Sequence, residues 1–304
     1  MSEQDRLSVL LVGFGGPEDL EEVPAFVTSV LGRTPPEHVI PAAMNRYQAI
    51  GGGSPLPATT RRQATLVGEE LKRRGYNAEV QVGMLHARPT IEETAARIVA
   101  DGVEDVIMIS LAPYRCEVST DAYEAAVERA LNGRGPRMHS GPDWNLAPGY
   151  VEALADKLKD ALDQAPPDVP VIFTAHSLPE RMIDQGDPYA DQLAQTSAEV
   201  ARRLGLGEWH LAYQSVSAAA REPWLGPSVE QVMERLATQG ATSVMVDPIG
   251  FISDHVETLY DNDIEHRAHA QALSLEFYRC GCLNEHAGLI ATLADVALAT
   301  ADHG

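Results

Sequence analysis

The sequence has few cysteines and few basic residues. Three of its 304 residues are cysteine, an odd number that argues against the disulfide framework of a small secreted protein. Lysine and arginine total 23 against 44 aspartate and glutamate residues, which gives a net charge of −21. Such an acidic protein repels nucleic-acid phosphates and anionic lipid headgroups, so the composition argues against nucleic-acid binding.

Long hydrophobic runs and nucleotide-binding motifs are also missing. No stretch reaches the ~18 consecutive apolar residues of a membrane span, and the segment MSEQDRL at 1–7 lacks the features of a signal peptide. We therefore expect a cytoplasmic protein without stable membrane insertion. The glycine-rich segments 13–17 (GFGGP) and 50–57 (IGGGSPLP) match neither GxGxxG nor GxxxxGKS/T. They are either tight turns or loops that keep the backbone close to a flat ligand.

Short apolar runs of strand length alternate with longer amphipathic segments. The runs lie at 7–14, 78–83, 105–112, 169–175, 209–214, 243–249 and 274–278. The amphipathic segments lie at 60–74, 91–101, 121–131, 149–162, 191–204, 229–239 and 289–300. This alternation predicts an α/β fold with buried parallel strands. The alternation of apolar runs and amphipathic segments is weaker in the turn-rich stretch 134–148.

Two segments carry candidate chemistry. His176 follows the apolar run VIFTA, so we expect its imidazole at a strand end, as a base, a metal ligand or a hydrogen-bonded core histidine. Glu257, Asp261 and Glu265 recur at intervals of four and would share one helix face. This face is either solvated, as in any acidic protein, or an acidic track that conducts cations or protons. A histidine nitrogen opposite a carboxylate is a suitable site for ferrous iron or another first-row metal.

Longer motifs carry a family resemblance. In chain order they are RYQAIGGGSPL at 46–56, AHSLP at 175–179, GDPYADQL at 186–193, QS and PWLGP within 214–227, and GFISDHVETLYDND at 250–263. Together they resemble the ferrochelatase family, in the same order along nearly the whole chain. The resemblance implies a lyase of haem biosynthesis that inserts ferrous iron into a porphyrin and releases two protons.

The family also implies an architecture and a set of partners. We expect two similar Rossmann-like domains, each a parallel sheet flanked by helices, with the active-site cleft between them. The N-terminal domain is expected at 1–113 and the C-terminal domain at 114–285, with a last helix at 286–304 packing back on the first domain. No organic cofactor is implied, because Fe²⁺ is a substrate. We expect a monomer that makes transient contact with neighbouring enzymes of the haem pathway.

Individual residues match the family's metal-site positions. His176 corresponds to its metal-site histidine and Glu257 to the partner glutamate, on the opposite side of the porphyrin cleft. Asp261 and Glu265 match the acidic helix that is interpreted there as a route for metal or departing protons. His86, in GMLHARP, matches a histidine of a peripheral metal site. Whether His176 accepts a proton or binds the metal stays open.

Other residues match or suggest porphyrin contacts. Arg46 and Ser54 match family positions that line the propionates or the ring edge. Arg115, in APYRCEVS, is a further candidate for a propionate, or else an ordinary surface charge. Phe14 and Tyr123 are either apolar walls of the porphyrin site or core residues.

The family contains coproporphyrin III and protoporphyrin IX enzymes. The segment LLVGFGGPED at 10–19 resembles the coproporphyrin branch of Gram-positive and actinobacterial members more than the NLGTP version of the other branch, and the hydrophobic lip insertion of membrane-attached members is missing. We therefore favour coproporphyrin III, with Fe-coproporphyrin III (coproheme) as product. Protoporphyrin IX, giving protohaem directly, is the alternative.

Two further alternatives concern cofactor and class. Some members hold a 2Fe–2S cluster on four cysteines, whereas this sequence offers only Cys116, Cys280 and Cys282, so ordinary reduced thiols are favoured. A chelatase for cobalt or nickel, or a non-catalytic tetrapyrrole or metal carrier, would share part of the site. The presence of both His176 and Glu257 favours an enzyme.

Overall fold

The structure is a computed structural model that describes residues 7–133, 135–216 and 221–303. It divides into two compact units. The first runs through Trp144 and also includes the segment from Asn284 onward, and the second comprises Asn145–Leu283. Within the described ranges, no helix has both the length and the apolar character that crossing a bilayer requires.

The first unit is built on a four-stranded parallel sheet. Its strands are β1 (Leu7–Gly13), β2 (Ala78–Met84), β3 (Asp105–Ser110) and β4 (Arg137–Ser140). They lie in the order β2-β1-β3-β4, and every pairing is parallel. The apolar run of β1 is buried on both faces, which is the pattern of a strand covered by helices on both sides.

Helices cover both faces of this sheet. They are α1 (Val23–Leu31), α2 (Val39–Ala49), α3 (Leu56–Arg73), α4 (Ile91–Ala100) and α5 (Ala122–Leu131), and a π-helix, Glu117–Asp121, precedes α5. Leu10 and Val12 of β1 pack with α4 and α5 in one hydrophobic cluster. Side chains alternate along a strand, so Val9 and its register partner Val80 face the other way, where Gly68 of α3 lies against Val80.

The second unit repeats this topology. Its strands are β5 (Val171–His176), β6 (Trp209–Gln214), β7 (Ser243–Asp247) and β8 (Glu276–Arg279). They are parallel and lie in the equivalent order β6-β5-β7-β8. Its helices are α6 (Pro148–Leu162), α7 (Glu180–Asp184), α8 (Tyr189–Leu204), α9 (Val229–Thr238), a ten-residue π-helix (Glu257–His266) and α10 (Arg267–Ala272). The predicted α/β class with two similar parallel sheets is confirmed.

The similarity of the two units extends to local detail. Thr90 begins α4 with a capping box to Glu93, and Ser228 begins α9 with a capping box to Gln231. Such a box satisfies backbone N–H groups that a helix N-terminus otherwise leaves without acceptors. In each unit the capping residue also forms a bridge to the end of the preceding strand, at Met84 in one and at Tyr213 in the other.

The boundary between the units differs from the expected one. β4 pairs with β3, with Asp105 opposite Arg137, so residues 114–144 belong to the first unit rather than to a second domain that begins after residue 113. β4 lies inside the stretch interpreted as turns. Helix α11 (Ala287–His303) belongs to the first unit, where it packs against α3 and β3.

Candidate metal and proton-transfer site

Strand ends bring the candidate residues of the second unit together. β5 ends at His176, and its register partner on β6 is Gln214, the last residue of that strand. β7 lies on the other side of β5 and leads through the turn 248–256 into the long π-helix, which begins at Glu257. The carboxyl ends of parallel strands share one edge of a sheet, which is where ligands bind in folds of this type.

His176 and Glu257 form a direct pair within the second unit, and the expectation that they lie on opposite sides of a cleft is wrong. His176 Nδ1 lies 2.9 Å from Glu257 Oε2, and both side chains are half-buried. A carboxylate only accepts hydrogen bonds, so Nδ1 carries the hydrogen and Nε2 of the neutral ring carries the lone pair. The carboxylate therefore fixes both the tautomer and the orientation of the imidazole.

Backbone contacts hold this pair in place. The Gln214 side-chain amide donates to the Glu257 carbonyl at 2.8 Å, and the Tyr189 hydroxyl donates to the His176 carbonyl at 3.1 Å. Gly250 packs against β5 so closely that a Cβ there would lie 2.5 Å from the Ala175 Cβ. The turn after β7 can approach β5 in this way because residue 250 lacks a side chain.

The predicted acidic helix is present, and it is wound as a π-helix. Asp261 is 4% exposed and accepts a hydrogen bond from the Ser215 hydroxyl, whereas Glu265 is exposed to solvent. The three predicted carboxylates thus run from an exposed residue, through a buried one, to Glu257 beside His176. This arrangement is suited to passing a hydrated cation inward or a proton outward.

Several residues near the pair were not singled out from the sequence. His255 Nε2 lies 4.0 Å from Glu257 Oε2, and the Trp224 ring centroid lies 6.4 Å from that of His176. Gln214 and Ser215 appeared only as letters of a family motif. His255 could have been identified from the sequence, because it lies two residues before Glu257 in the segment DHVE.

Phe14 and His86 contact each other in the first unit. Their ring centroids are 4.7 Å apart, and the His86 backbone N–H donates to the Phe14 carbonyl at 3.0 Å. His86 Nδ1 lies 2.9 Å from the Ser29 hydroxyl oxygen. Burial lowers the pKa of His86, which favours the neutral imidazole.

Arg46 and Ser54 flank the glycine-rich turn after α2. Arg46 lies half-buried in the last turn of α2. The Ser54 backbone N–H donates to the Pro17 carbonyl at 2.7 Å, and its hydroxyl accepts from the Leu56 N–H at 3.2 Å. A Cβ on Gly53 would lie 2.0 Å from the Glu18 carbonyl oxygen, so the turn packs directly on the loop after β1.

Tyr123 lies in the core of the first unit, and Arg115 is surrounded by acidic groups. Tyr123 is 3% exposed and belongs to the core cluster of the first unit, where burial raises the pKa of its phenol. This burial favours the core alternative for Tyr123, and its role as a wall of the porphyrin site stays a prediction. Arg115 lies 2.8 Å from Asp121, 3.3 Å from Glu124 and 3.7 Å from Asp143, so nearby carboxylates balance its charge.

The cysteines are buried free thiols. Cys116 lies in the first unit, and Cys280 and Cys282 lie in the second. Burial raises the pKa of both Cys280 and Cys282 well above the usual value, which favours the thiol over the metal-binding thiolate. In the part of the chain that the structure describes, no group of three or more His, Cys, Asp or Glu side chains is arranged to hold a metal ion.

The fold is shared with a solved chelatase. The sirohydrochlorin chelatase SirB from Bacillus subtilis subspecies spizizenii, solved in complex with cobalt, has a TM-score of 0.57 to this chain. The similarity covers 98% of this chain and 96% of that one, at 14% identity, and therefore shows a shared fold alone. The molecule has the two-unit α/β architecture of the chelatases.

Sequence comparison narrows this class to a family. A family model for ferrochelatase matches residues 6–301. A ferrochelatase from Deinococcus radiodurans is 37% identical, with 97% of this chain and 96% of that protein covered. A coproporphyrin III ferrochelatase from Anoxybacillus flavithermus is 34% identical, with 96% and 95% covered. The chain belongs to the ferrochelatase family, as its motifs predicted.

Proposed function

We propose that this protein inserts ferrous iron into coproporphyrin III and releases Fe-coproporphyrin III in haem biosynthesis. The observation that carries the chemistry is the His176–Glu257 pair, with a 2.9 Å bond at the strand-end edge of the second unit. The choice of porphyrin is supported by the Anoxybacillus relative, whose name specifies coproporphyrin III.

The reaction requires a group that accepts protons from the ring. A free porphyrin carries two pyrrole N–H groups, and both protons leave as Fe²⁺ binds the four nitrogens, so charge is conserved. Neutral His176 can take a proton at Nε2, and the Glu257 carboxylate on Nδ1 stabilises the imidazolium that forms. The same lone pair can instead bind the incoming metal, so proton acceptor and metal donor are alternative roles for one atom.

Asp261 and Glu265 supply the connection to solvent. In this proposal the exposed Glu265 meets hydrated metal ions or departing protons, and the buried Asp261 passes them between the surface and Glu257. Carboxylate oxygens suit both tasks, because they bind divalent cations weakly when few of them act together and also exchange protons.

Residues of the first unit stay as proposed porphyrin and metal contacts. Arg46 offers a guanidinium suited to a propionate, Ser54 offers a hydroxyl at the glycine-rich turn, and Phe14 offers an exposed ring face. His86 is proposed as a peripheral metal ligand. Arg115 is a weaker candidate for a propionate because three carboxylates surround it.

The cellular setting completes the proposal. The enzyme is a lyase of the metal chelatase type, and we propose that it acts in the cytoplasm as a monomer that meets neighbouring haem-pathway enzymes transiently. Three free thiols are compatible with a reducing compartment. Ferrous iron is a substrate rather than a resident cofactor, and we do not include an iron–sulfur cluster.

An anaerobic assay tests the proposal. Purified protein is mixed with ferrous iron and either coproporphyrin III or protoporphyrin IX, and insertion is followed by the change in ring absorbance. Faster turnover of coproporphyrin III is expected. Preference for protoporphyrin IX would make protohaem the product, and binding of both rings without insertion of iron would indicate a carrier.

A further inference from the structure

A buried arginine lies next to the long π-helix. Arg279 ends β8, and its side chain is 12% exposed. Its NH1 and NH2 groups donate to Asp254 Oδ1 at 3.2 and 3.1 Å, and its Nε lies 2.7 Å from Asp263 Oδ1. One guanidinium therefore bridges two carboxylates of the acidic segment, neither of which is among the three predicted for metal or proton transfer.

The bridge joins the segment ahead of the π-helix to the helix itself. Asp254 lies just ahead of the π-helix and is fastened to its first turn by the Thr258 hydroxyl, which donates to Asp254 Oδ1 at 3.1 Å. Asp263 lies inside the π-helix, nine residues later in the chain. Arg279 of β8 therefore ties both the approach to the helix and the helix to the edge strand of the sheet.

A π-helix of this length needs support from outside. Most π-helices are single turns within an α-helix, whereas this one spans ten residues. The Arg279 bridge brackets the part that carries Glu257 and Asp261. Movement of the helix away from β8 would separate Asp263 from Arg279 and leave a largely buried guanidinium without one of its two carboxylate partners, which is costly.

We propose that Arg279 is a positioning residue. By bridging Asp254 and Asp263 it holds the π-helix against β8, in the position that places Glu257 against His176 and Asp261 against Ser215. It thereby determines how tightly the site holds a divalent metal ion, without contact to the metal. This inference rests on the proposed function only in taking the Glu257 and Asp261 carboxylates as the groups that receive the metal.

The test compares Arg279→Gln with Arg267→Gln. Arg267 is a matched control because its guanidinium lies 3.8 Å from the same Asp263 carboxylate and stacks on the Phe277 ring, so its loss leaves the Arg279 bridge intact. Removing a direct hydrogen-bond partner of a metal ligand lowers metal affinity by ~10–100-fold. Arg279 acts one step further out, through Asp254 and Asp263, so we expect the apparent KM for Fe²⁺ to rise by up to about tenfold in Arg279→Gln, with the porphyrin KM unchanged. Arg267→Gln is expected to keep both constants.

Conservative variants separate positioning from mere stability. Arg279→Lys keeps the positive charge but loses the planar guanidinium that donates to both carboxylates. Compared with Arg279→Gln, it is expected to recover thermal stability and only part of the metal affinity. If Arg279→Gln does not fold, Asp263→Asn removes one arm of the bridge at a half-exposed position and is expected to raise the metal KM selectively. An unchanged metal KM in a folded Arg279→Gln or Asp263→Asn protein would overturn the inference.

A binding measurement distinguishes this inference from the proposed function. Co²⁺ is titrated into the porphyrin-free protein, and its visible absorption reports ligation. Weaker Co²⁺ binding in Arg279→Gln than in the unmodified protein supports the bridge even if no porphyrin is metallated. Equal Co²⁺ binding by the two proteins overturns the bridge even if insertion of iron is confirmed. Absence of Co²⁺ binding in the unmodified protein contradicts both.

Discussion

The bond between His176 and Glu257 gives one imidazole a defined chemical state. Because Nδ1 is hydrogen-bonded to the carboxylate, Nε2 is the proposed acceptor of a proton from the porphyrin. We expect His176→Ala to lower the rate of iron insertion by ~10²–10⁴-fold, the range for loss of a general base. Porphyrin binding, followed by ring fluorescence, should persist. His139→Ala, which removes a histidine paired with Asp105 in the first unit, is the control and should keep its activity.

A nearly wild-type rate in His176→Ala would remove this histidine from the mechanism. The neighbouring His255 is the first replacement to consider, because its Nε2 lies 4.0 Å from the same Glu257 oxygen. A His176→Ala, His255→Ala pair tested separately and together would show which ring serves the glutamate.

Asp247 makes stability depend on pH. It ends β7 and is buried, and loss of hydration raises its pKa from 3.8 to about 7, although Arg279 acts in the opposite direction. The folded protein thus binds this proton more tightly than the unfolded chain does. Asp247 therefore destabilises the folded protein least below the unfolded pKa of about 4. The loss in the free energy of unfolding grows as the pH rises from there through about 7.

Asp247→Asn removes this titration while keeping the shape of the side chain. Compared with the unmodified protein, the variant should gain in Tm between pH 5 and pH 8, with the gain largest at the upper end. Thermal unfolding at a series of pH values measures the difference. A difference in Tm that is constant across this range would show that Asp247 has the same protonation in both states.

Single residues differed in how well the sequence predicted them. The positions of His176 at a strand end and of Glu257 on a helix were predictable because both are local patterns, whereas their roles came from the family motifs and stay predictions. Tyr123 was ambiguous, since an aromatic ring beside a predicted helix packs equally well into a core or onto a ligand. The contacts of Arg279 could not be predicted from the sequence, because its two partners become neighbours only once β8 and the π-helix are formed.

The long π-helix shows how one element was only half predicted. A spacing of four keeps Glu257, Asp261 and Glu265 near one face in either an α- or a π-helix, so the spacing does not reveal the winding. Strand β4 was missed for a different reason. Its four residues, RMHS, are half-exposed at a sheet edge and contain no apolar run.

Glu265 tests whether the face of the π-helix conducts metal ions. Because it is the exposed carboxylate of the three, Glu265→Gln should raise the apparent KM for Fe²⁺ by a few-fold, ~0.5–1 kcal/mol, while kcat stays within about twofold. Glu276→Gln, an exposed carboxylate of the same unit on β8, is the control for loss of one negative charge. If the two variants have the same metal KM, the face is an ordinary solvated one.

The molecule as a whole depends on a helix that lies far along the chain. Leu293 of α11 is fully buried in the first unit. Leu293→Ala should lower the free energy of unfolding by ~2–5 kcal/mol, as truncation of a core leucine does. Leu146→Ala, at an exposed position, is the control and should change it little. Urea unfolding followed by circular dichroism provides the measurement, and equal losses would place Leu293 outside the core.

At the scale of the whole molecule the sequence predicted two similar parallel sheets correctly, because all seven apolar runs fall on strands. The boundary could not be predicted from local patterns. It depends on the pairing of β4 with β3, which is a contact between segments about thirty residues apart, as the Asp105–Arg137 register shows.

The arrangement of the units also orders events during synthesis. The second unit is one continuous segment, Asn145–Leu283, inserted between β4 and α11 of the first. The ribosome makes ~5–20 residues per second, so α11 emerges roughly 7–30 s after β4. The sheet that is made first is therefore covered last, and the second unit can fold while the nascent first unit still exposes the apolar surface that Leu289 and Leu293 will bury.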